Sequence, residues 1–452
     1  MTPPPRKAGA SGLLVVCLVL ASCAAVRADM PAAGPGPSPE AGSLANHYSL
    51  AAEFDPGDGR LDVSGTLRVV ADGPLDSLGF LLNGGLTVTA LTGERVGRWS
   101  AAPGATVGEF ELPATQRVVV RFDPALAEGE ATTLRFAYGG HIDNESIEVG
   151  RGLVSPRWTE MSVGTLWYPA ALDEPVVTSQ VDLSLPPQYE AVGPGSVRQT
   201  GAGRWTIEAD RPAQVRVTFA ASDRWHAESR AFTGDRGVTV YALNRTPRVD
   251  LALDAAAATY ATLADLYGEP RRAGPDLVVL YPNDSLDVLG LRSPDEAYST
   301  GNLIAIRDDR DETSWVATLQ HEVAHMWWSG GQPGTADEFL SESLAEYSAT
   351  VVGGAELGAD WLARRRATLA ARSEKTEGSL RDLDGFTGTR VALLYSRGPT
   401  ALWALHDRIG GAAMAEFLTE VQTADVGTLD GFLSRLADRE GAETAEWFAG
   451  LL

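Results

Sequence analysis

The residues best equipped for chemistry are His321-Glu322-Val323-Ala324-His325, two imidazoles enclosing a carboxylate. With only six His in 452 residues, chance seldom sets a pair at this spacing beside a Glu. Val316, Leu319, Val323 and Trp327 recur at helical spacing around the motif, and Asp311 or Thr313 can cap its start, so a helix is expected here. On a helix the two His project about 40° apart, roughly opposite the apolar stripe. Two imidazoles one turn apart can grip one Zn²⁺ through ring nitrogens, leaving Glu322 beside the metal rather than on it.

A catalytic zinc with two His needs a third protein ligand and an open position for water. The next segment supplies candidates: Leu340, Leu344, Tyr347 and Val351 form an apolar face, and Glu338, Glu342 and Glu346 an acidic stripe on the other side. Alone, such a stripe reads as a solvated helix face. The preceding helix turns its His pair away from its own core in the same way, so a cleft shared by the two helices explains both. Glu342 is the choice of ligand, and Glu346, one turn on, is placed to accept the free N–H of a metal-bound His. One Zn²⁺ per chain is expected.

The elements that must hold these groups can be read from the rest of the chain. Between about residues 45 and 224, period-two alternation recurs, as in Leu61/Val63, Leu67/Val69, Leu134/Phe136/Tyr138, Val181/Leu183/Leu185 and Val215/Val217/Phe219, with Gly- and Pro-bearing turns between. That predicts an all-β domain. A polar join near Ser222 to Gly237 follows. Beyond it come a strand at Val238–Leu243, an Ala-rich helix over Val249–Tyr267 closed by Gly268, a strand at Leu277–Tyr281, and then mostly helices to residue 452. The fold class is therefore α+β and multidomain, with an N-terminal β-domain (45–224) before a mainly helical catalytic domain (237–452). The chain carries 60 Asp plus Glu against 37 Lys plus Arg, a net charge of −23. A nucleic-acid backbone would be repelled, and no nucleic-acid partner is expected.

At the metal-site residues the sequence resembles the aminopeptidase N-like (membrane alanyl aminopeptidase) zinc peptidases, gluzincins in which H-E-x-x-H is followed eighteen residues later by Glu within N-E-G-F-A-like text. Phe339-Leu340-Ser341-Glu342-Ser343-Leu344-Ala345-Glu346-Tyr347 matches that second block, with Ser341 and Ser343 for the usual Asn and Gly. The gap from His325 to Glu342 is sixteen residues, two shorter than the family norm, which leaves open a shift of the third ligand to Glu338 or Glu346. Tyr395-Ser396-Arg397-Gly398 resembles the family's Y-x-K-G, with Arg for Lys, and the resemblance makes Tyr395 the donor to the oxyanion. It also implies a β-saddle followed by a thermolysin-like zincin domain, a peptide substrate, and Glu322 as general base. The family's G-x-M-E-N block, whose Glu binds the substrate's α-amine, has no clear match; the corresponding stretch is Gly290 to Tyr298, where Glu296 is the candidate substitute. The chain stops soon after Trp447, so the family's long C-terminal helical roof is expected to be missing. Two rival readings stand beside an aminopeptidase: a zinc endopeptidase of the same fold, and a zinc-containing surface lipoprotein that binds without turnover.

Residues 1–22 read as an export signal, with Arg6 and Lys7 before an apolar run from Gly12 to Leu20 too short to span a bilayer. The run ends in Leu20-Ala21-Ser22-Cys23, which resembles the lipobox of bacterial lipoproteins and implies lipidation at Cys23. The other Cys, Cys17, lies in the discarded run, so the mature chain would carry no disulfide. Residues 23–44, rich in Ala, Pro, Gly and Ser, are expected to be a disordered tether. The expected address is extracytoplasmic, on a bacterial membrane, held by lipid.

Overall fold

The computed structural model describes residues 46–107, 110–143, 153–171, 177–213, 217–233, 236–270, 276–283, 297–307, 311–385 and 387–452. The export signal, Cys23 and the tether lie outside them, as does Glu296. The fold class read from the sequence holds: an all-β region comes first and a mainly helical one follows.

The alternating segments become strands because one side of each can be buried. Leu61, Val63, Leu67 and Val69 are at most 4% exposed on the strand Arg60–Val70, which pairs with Asn46–Asp55 on one side and Ala131–His141 on the other. These belong to a seven-stranded sheet, accompanied by two four-stranded sheets. The three share one core in which Phe54 and Trp167 both pack edge-on against Phe219.

The second region opens with a five-stranded sheet in the order His226–Thr233, Arg236–Ala242, Leu277–Tyr281, Leu303–Ile306, Ala297–Thr300. Its first strand falls in the stretch read as a polar join. It is an edge strand, exposed and half-buried residues alternate from His226 to Phe232 and none is fully buried, so no apolar alternation betrays it. Helix α1 (Pro247–Tyr267) starts with proline in its first turn and stops at Gly268, whose φ of 77° suits glycine. Then follow α2 (Glu312–Ala324), α3 (Glu342–Leu357), α4 (Ala359–Ser373), α5 (Gly398–Ile409), α6 (Gly411–Thr423), α7 (Leu429–Glu440) and α8 (Ala442–Ala449). Among the described residues no helix is long and apolar enough to cross a membrane.

A buried polar knot joins the two regions. Glu160, on the strand Thr159–Met161, is 0% exposed. It receives both arms of Arg307 (3.0 and 2.7 Å), the Trp158 indole (2.6 Å) and the Tyr298 hydroxyl (3.1 Å). The Arg307 carbonyl in turn accepts from Trp315, in the first turn of α2 (2.8 Å). Around the knot, Trp158, Val192 and Ala220 pack with Leu280, Tyr298, Leu303 and Ala305 of the five-stranded sheet.

Candidate metal centre

Helix α2 is capped by Asp311, whose carboxylate accepts from the Ser314 N–H (3.1 Å) and hydroxyl (2.7 Å). Trp315, Leu319 and Val323 bury its inner side, while His321 and Glu322, 6% and 8% exposed, line the site. The helix ends at Ala324, and His325 occupies its C-cap. Trp327, expected to continue the apolar stripe, lies past the helix, in a turn where its indole donates to Gly268 O (2.8 Å).

The acidic stripe is split between two elements. Glu338 sits on a short 3-10 helix, Ala336–Leu340, and Glu342 is the first residue of α3. Nor is the stripe solvated: Glu338, Glu342 and Glu346 are 1%, 1% and 6% exposed. Small residues (Ser343, Ala345, Ser348, Ala349 and Thr350) let neighbours cover α3 closely, so the usual link between an acidic face and solvent fails here. At the N-terminus of α3 the Glu342 carboxylate also meets the positive end of the helix dipole.

Three donor atoms converge. His321 Nε2 lies 3.2 Å from His325 Nε2 and 3.5 Å from Glu342 Oε2, which is 3.6 Å from His325 Nε2. A triangle with these sides has its centre about 2.0 Å from every corner, the length of a zinc–nitrogen or zinc–oxygen bond. These three form the group among the described residues that could hold a metal ion. With the shorter loop, Glu342 is the carboxylate whose oxygen reaches both imidazoles. Glu338 is held elsewhere, by the fork of Arg390 and the Gly334 N–H.

The flanking atoms orient these side chains. Since the Trp328 carbonyl can only accept, His325 Nδ1, 2.9 Å away, carries the proton and leaves the Nε2 lone pair facing the centre. His321 Nδ1 is 3.4 Å from Glu346 Oε2, in electrostatic reach though not aligned as a hydrogen bond. Arg365 from α4 grips the other Glu346 oxygen. Glu322 accepts no hydrogen bond from any described residue, so its carboxylate is unengaged beside the centre.

The electrostatics call for a cation. Burial would lower the pKa of His321, but the close carboxylates of Glu342 and Glu346, with the charge of Glu322, overcome it and lift the pKa to about 10. Burial pushes Glu342 up; the imidazoles of His325 and His321 close beside it and the hydroxyl of Tyr395 reverse this and hold it well below the carboxylate range. Glu346 is likewise lowered: Arg365 and His321 outweigh its burial. Two ionised carboxylates and a proton-hungry imidazole around a zinc-sized gap fit a divalent metal.

Tyr395 occupies a π-helical turn, Leu393–Arg397, of the kind that interrupts helices at functional sites. Its ring stacks on His321 (centroids 5.4 Å apart, planes at 27°), and its hydroxyl donates to Glu342. Two contacts press this turn against α3. Ser343 donates to Leu394 O (2.7 Å), and at Gly398 a Cβ would fall 2.1 Å from Ser343 Oγ, so only glycine fits. Arg397, in place of the family's Lys, donates to the carbonyls of Ser373, Thr376 and Gly378, closing the end of α4 rather than facing the site.

Sequence reasoning thus named His321, Glu322, His325, Glu342, Glu346 and Tyr395, and the structure brings all six together. It missed Arg365, Arg390 and the Trp328 carbonyl. Arg390 meets a carboxylate 52 residues away, and no short pattern signals such a pairing.

No protein-family model and no curated protein sequence matches the chain. Solved structures do. An M1 zinc metallopeptidase from Deinococcus radiodurans superposes with a TM-score of 0.68 at 20% identity, over 90% of this chain and 93% of that one. A point variant of the Deinococcus radiodurans enzyme bound to a Tyr-Ser-Ala substrate gives 0.64 at 21% identity, with the same coverage. A two-domain M1 zinc metallopeptidase variant bound to L-arginine gives 0.66 at 20% identity, again over 90% and 93%. At such identity the likeness establishes a shared two-domain fold.

Proposed function

We propose that this chain is a zinc-dependent peptidase of the aminopeptidase type, acting on short peptides with a free N-terminus. The carrying observation is the triangle of His321, His325 and Glu342, with Glu322 unengaged at its side and Tyr395 above it. The peptide and amino acid in the neighbouring structures belong to those proteins, and they support a similar substrate class here.

His321 and His325 through Nε2 and Glu342 through Oε2 would hold the ion. When bound, zinc supplies the Lewis acidity that makes water nucleophilic near neutral pH. Glu322 takes the proton from the water that attacks the peptide carbonyl carbon, then gives it to the departing amine nitrogen as the C–N bond breaks. Tyr395 turns its hydroxyl from Glu342 to the former carbonyl oxygen as negative charge gathers there. Glu346, steadied by Arg365, keeps the His321 ring in place.

Glu322→Gln is the decisive variant. It should retain stoichiometric zinc and lose hydrolysis of Tyr-Ser-Ala, while the wild type should cleave the free tripeptide and leave its N-acetylated form intact. Turnover by the variant at the wild-type rate would refute the mechanism; cleavage of the blocked peptide would assign an endopeptidase instead. The protein is further proposed to be exported and lipid-anchored through Cys23. Cys23→Ala should move it from the membrane fraction to the soluble one.

A further inference from the structure

The ligand Glu342 and the donor Tyr395 lie on segments 53 residues apart in sequence, yet one must face the other. Just upstream of each stands one half of a buried ion pair. Glu338, four residues before Glu342, is on the 3-10 helix; Arg390, five residues before Tyr395, is on the single helical turn Arg390–Ala392. The two side chains are 1% and 2% exposed. Arg390 Nε donates to Glu338 Oε2 (2.7 Å), its Nη2 to Oε1, and the Gly334 N–H also donates to Oε2 (3.0 Å).

We propose that the Glu338–Arg390 pair is a positioning device: it sets the distance and angle at which the Tyr395 hydroxyl meets the Glu342 carboxylate. Burying two charges is a poor way to gain stability, since apolar side chains of similar volume hold two segments at least as well. A planar guanidinium on a planar carboxylate gives something apolar packing does not, a fixed mutual orientation. The fork joins the two segments on one side of the site, while the Ser343–Leu394 bond and the close approach at Gly398 join them on the other. Segments pinned at both ends cannot slide, and Glu342 and Tyr395 lie between the pins. Neither Glu338 nor Arg390 is assigned contact with metal or substrate.

The kinetic part of this inference rests on the peptidase reading; the metal-binding part does not. Arg390→Lys keeps the charge and loses the fork. The expected result is zinc binding weakened about tenfold in competition with a chromophoric chelator, the lower end for residues that orient a ligand. kcat should also fall about tenfold with KM little changed, the pattern of a loss confined to the transition state. In a Tyr395→Phe background the same substitution should lower kcat by less than about twofold, because the group being positioned is already gone. Glu338→Gln combined with Arg390→Met removes both charges at similar volume and should show the same losses, even if the lysine variant folds poorly. Wild-type zinc affinity and kcat in these variants would overturn the proposal, as would a kcat loss that multiplies in full with that of Tyr395→Phe. A wild-type protein that binds zinc and hydrolyses no peptide would refute the peptidase reading, and the chelator competition would still decide the positioning role.

Discussion

Replacing Tyr395 by Phe removes one oxygen and little else. The ring that stacks on His321 remains, so packing on the metal side is kept. Two hydrogen bonds are at stake. In the resting site the hydroxyl donates to Glu342, a bond to a charged acceptor worth about 1.5–3 kcal/mol. Its loss costs less than that, because Tyr395 is only partly buried and water can replace the donor. In the proposed mechanism the hydroxyl faces a developing oxyanion in the transition state, and losing such a donor costs about 2.7–4 kcal/mol, or roughly 10²–10³ in kcat. The expected signature is a kcat lower by that factor, KM nearly unchanged and zinc still stoichiometric. Steady-state kinetics on a free tripeptide beside metal analysis of the same preparation would check it. Activity within about threefold of wild type would refute the role of Tyr395, since a working oxyanion donor cannot be so cheaply lost.

Further outcomes follow from the geometry. Glu342→Ala should fail to retain zinc through dialysis, whereas Glu346→Ala, which removes an orienting partner of His321, should weaken zinc by about 10–100-fold and keep the site usable. In the metal-free protein the His321 pKa, raised to about 10, exceeds its unfolded value of about 6.5, so its contribution to stability is complete below pH 6.5 and lost as pH rises through 10. At pH 8 zinc must then displace close to one proton from His321, which calorimetry in buffers of different ionisation enthalpy will count; a slope of zero would contradict the assignment. Gly398→Ala would drive a methyl to 2.1 Å from Ser343 Oγ and should lower stability by about 1–3 kcal/mol in urea unfolding.

What could be read in the chain beforehand was what depends on near neighbours. H-E-x-x-H needs only one turn of helix to aim its imidazoles, and the Leu61/Val63 alternation needs only one buried sheet face. Both are local, and both stand in the structure. The break at Ser341 was not legible: Glu338 stands on a separate 3-10 helix before α3, where Arg390, 52 residues distant, holds it. The edge strand His226–Thr233 was missed for a different reason: its pairing is through backbone groups, which leave no mark on side-chain pattern. The acidic stripe would have been dismissed by amphipathicity alone; the His pair on the preceding helix was the observation that rescued it.

The knot around Glu160 bears on what can be separated. Among the described residues, Trp158, Val192 and Ala220 of the β-rich region cover one face of the five-stranded sheet, so a fragment starting at residue 237 would uncover Leu280, Leu303 and Ala305 and leave Arg307 without its carboxylate. Such a fragment should clump rather than fold. The half that carries the His321, His325 and Glu342 triangle is therefore no portable cassette, and any graft or swap must carry both halves across together.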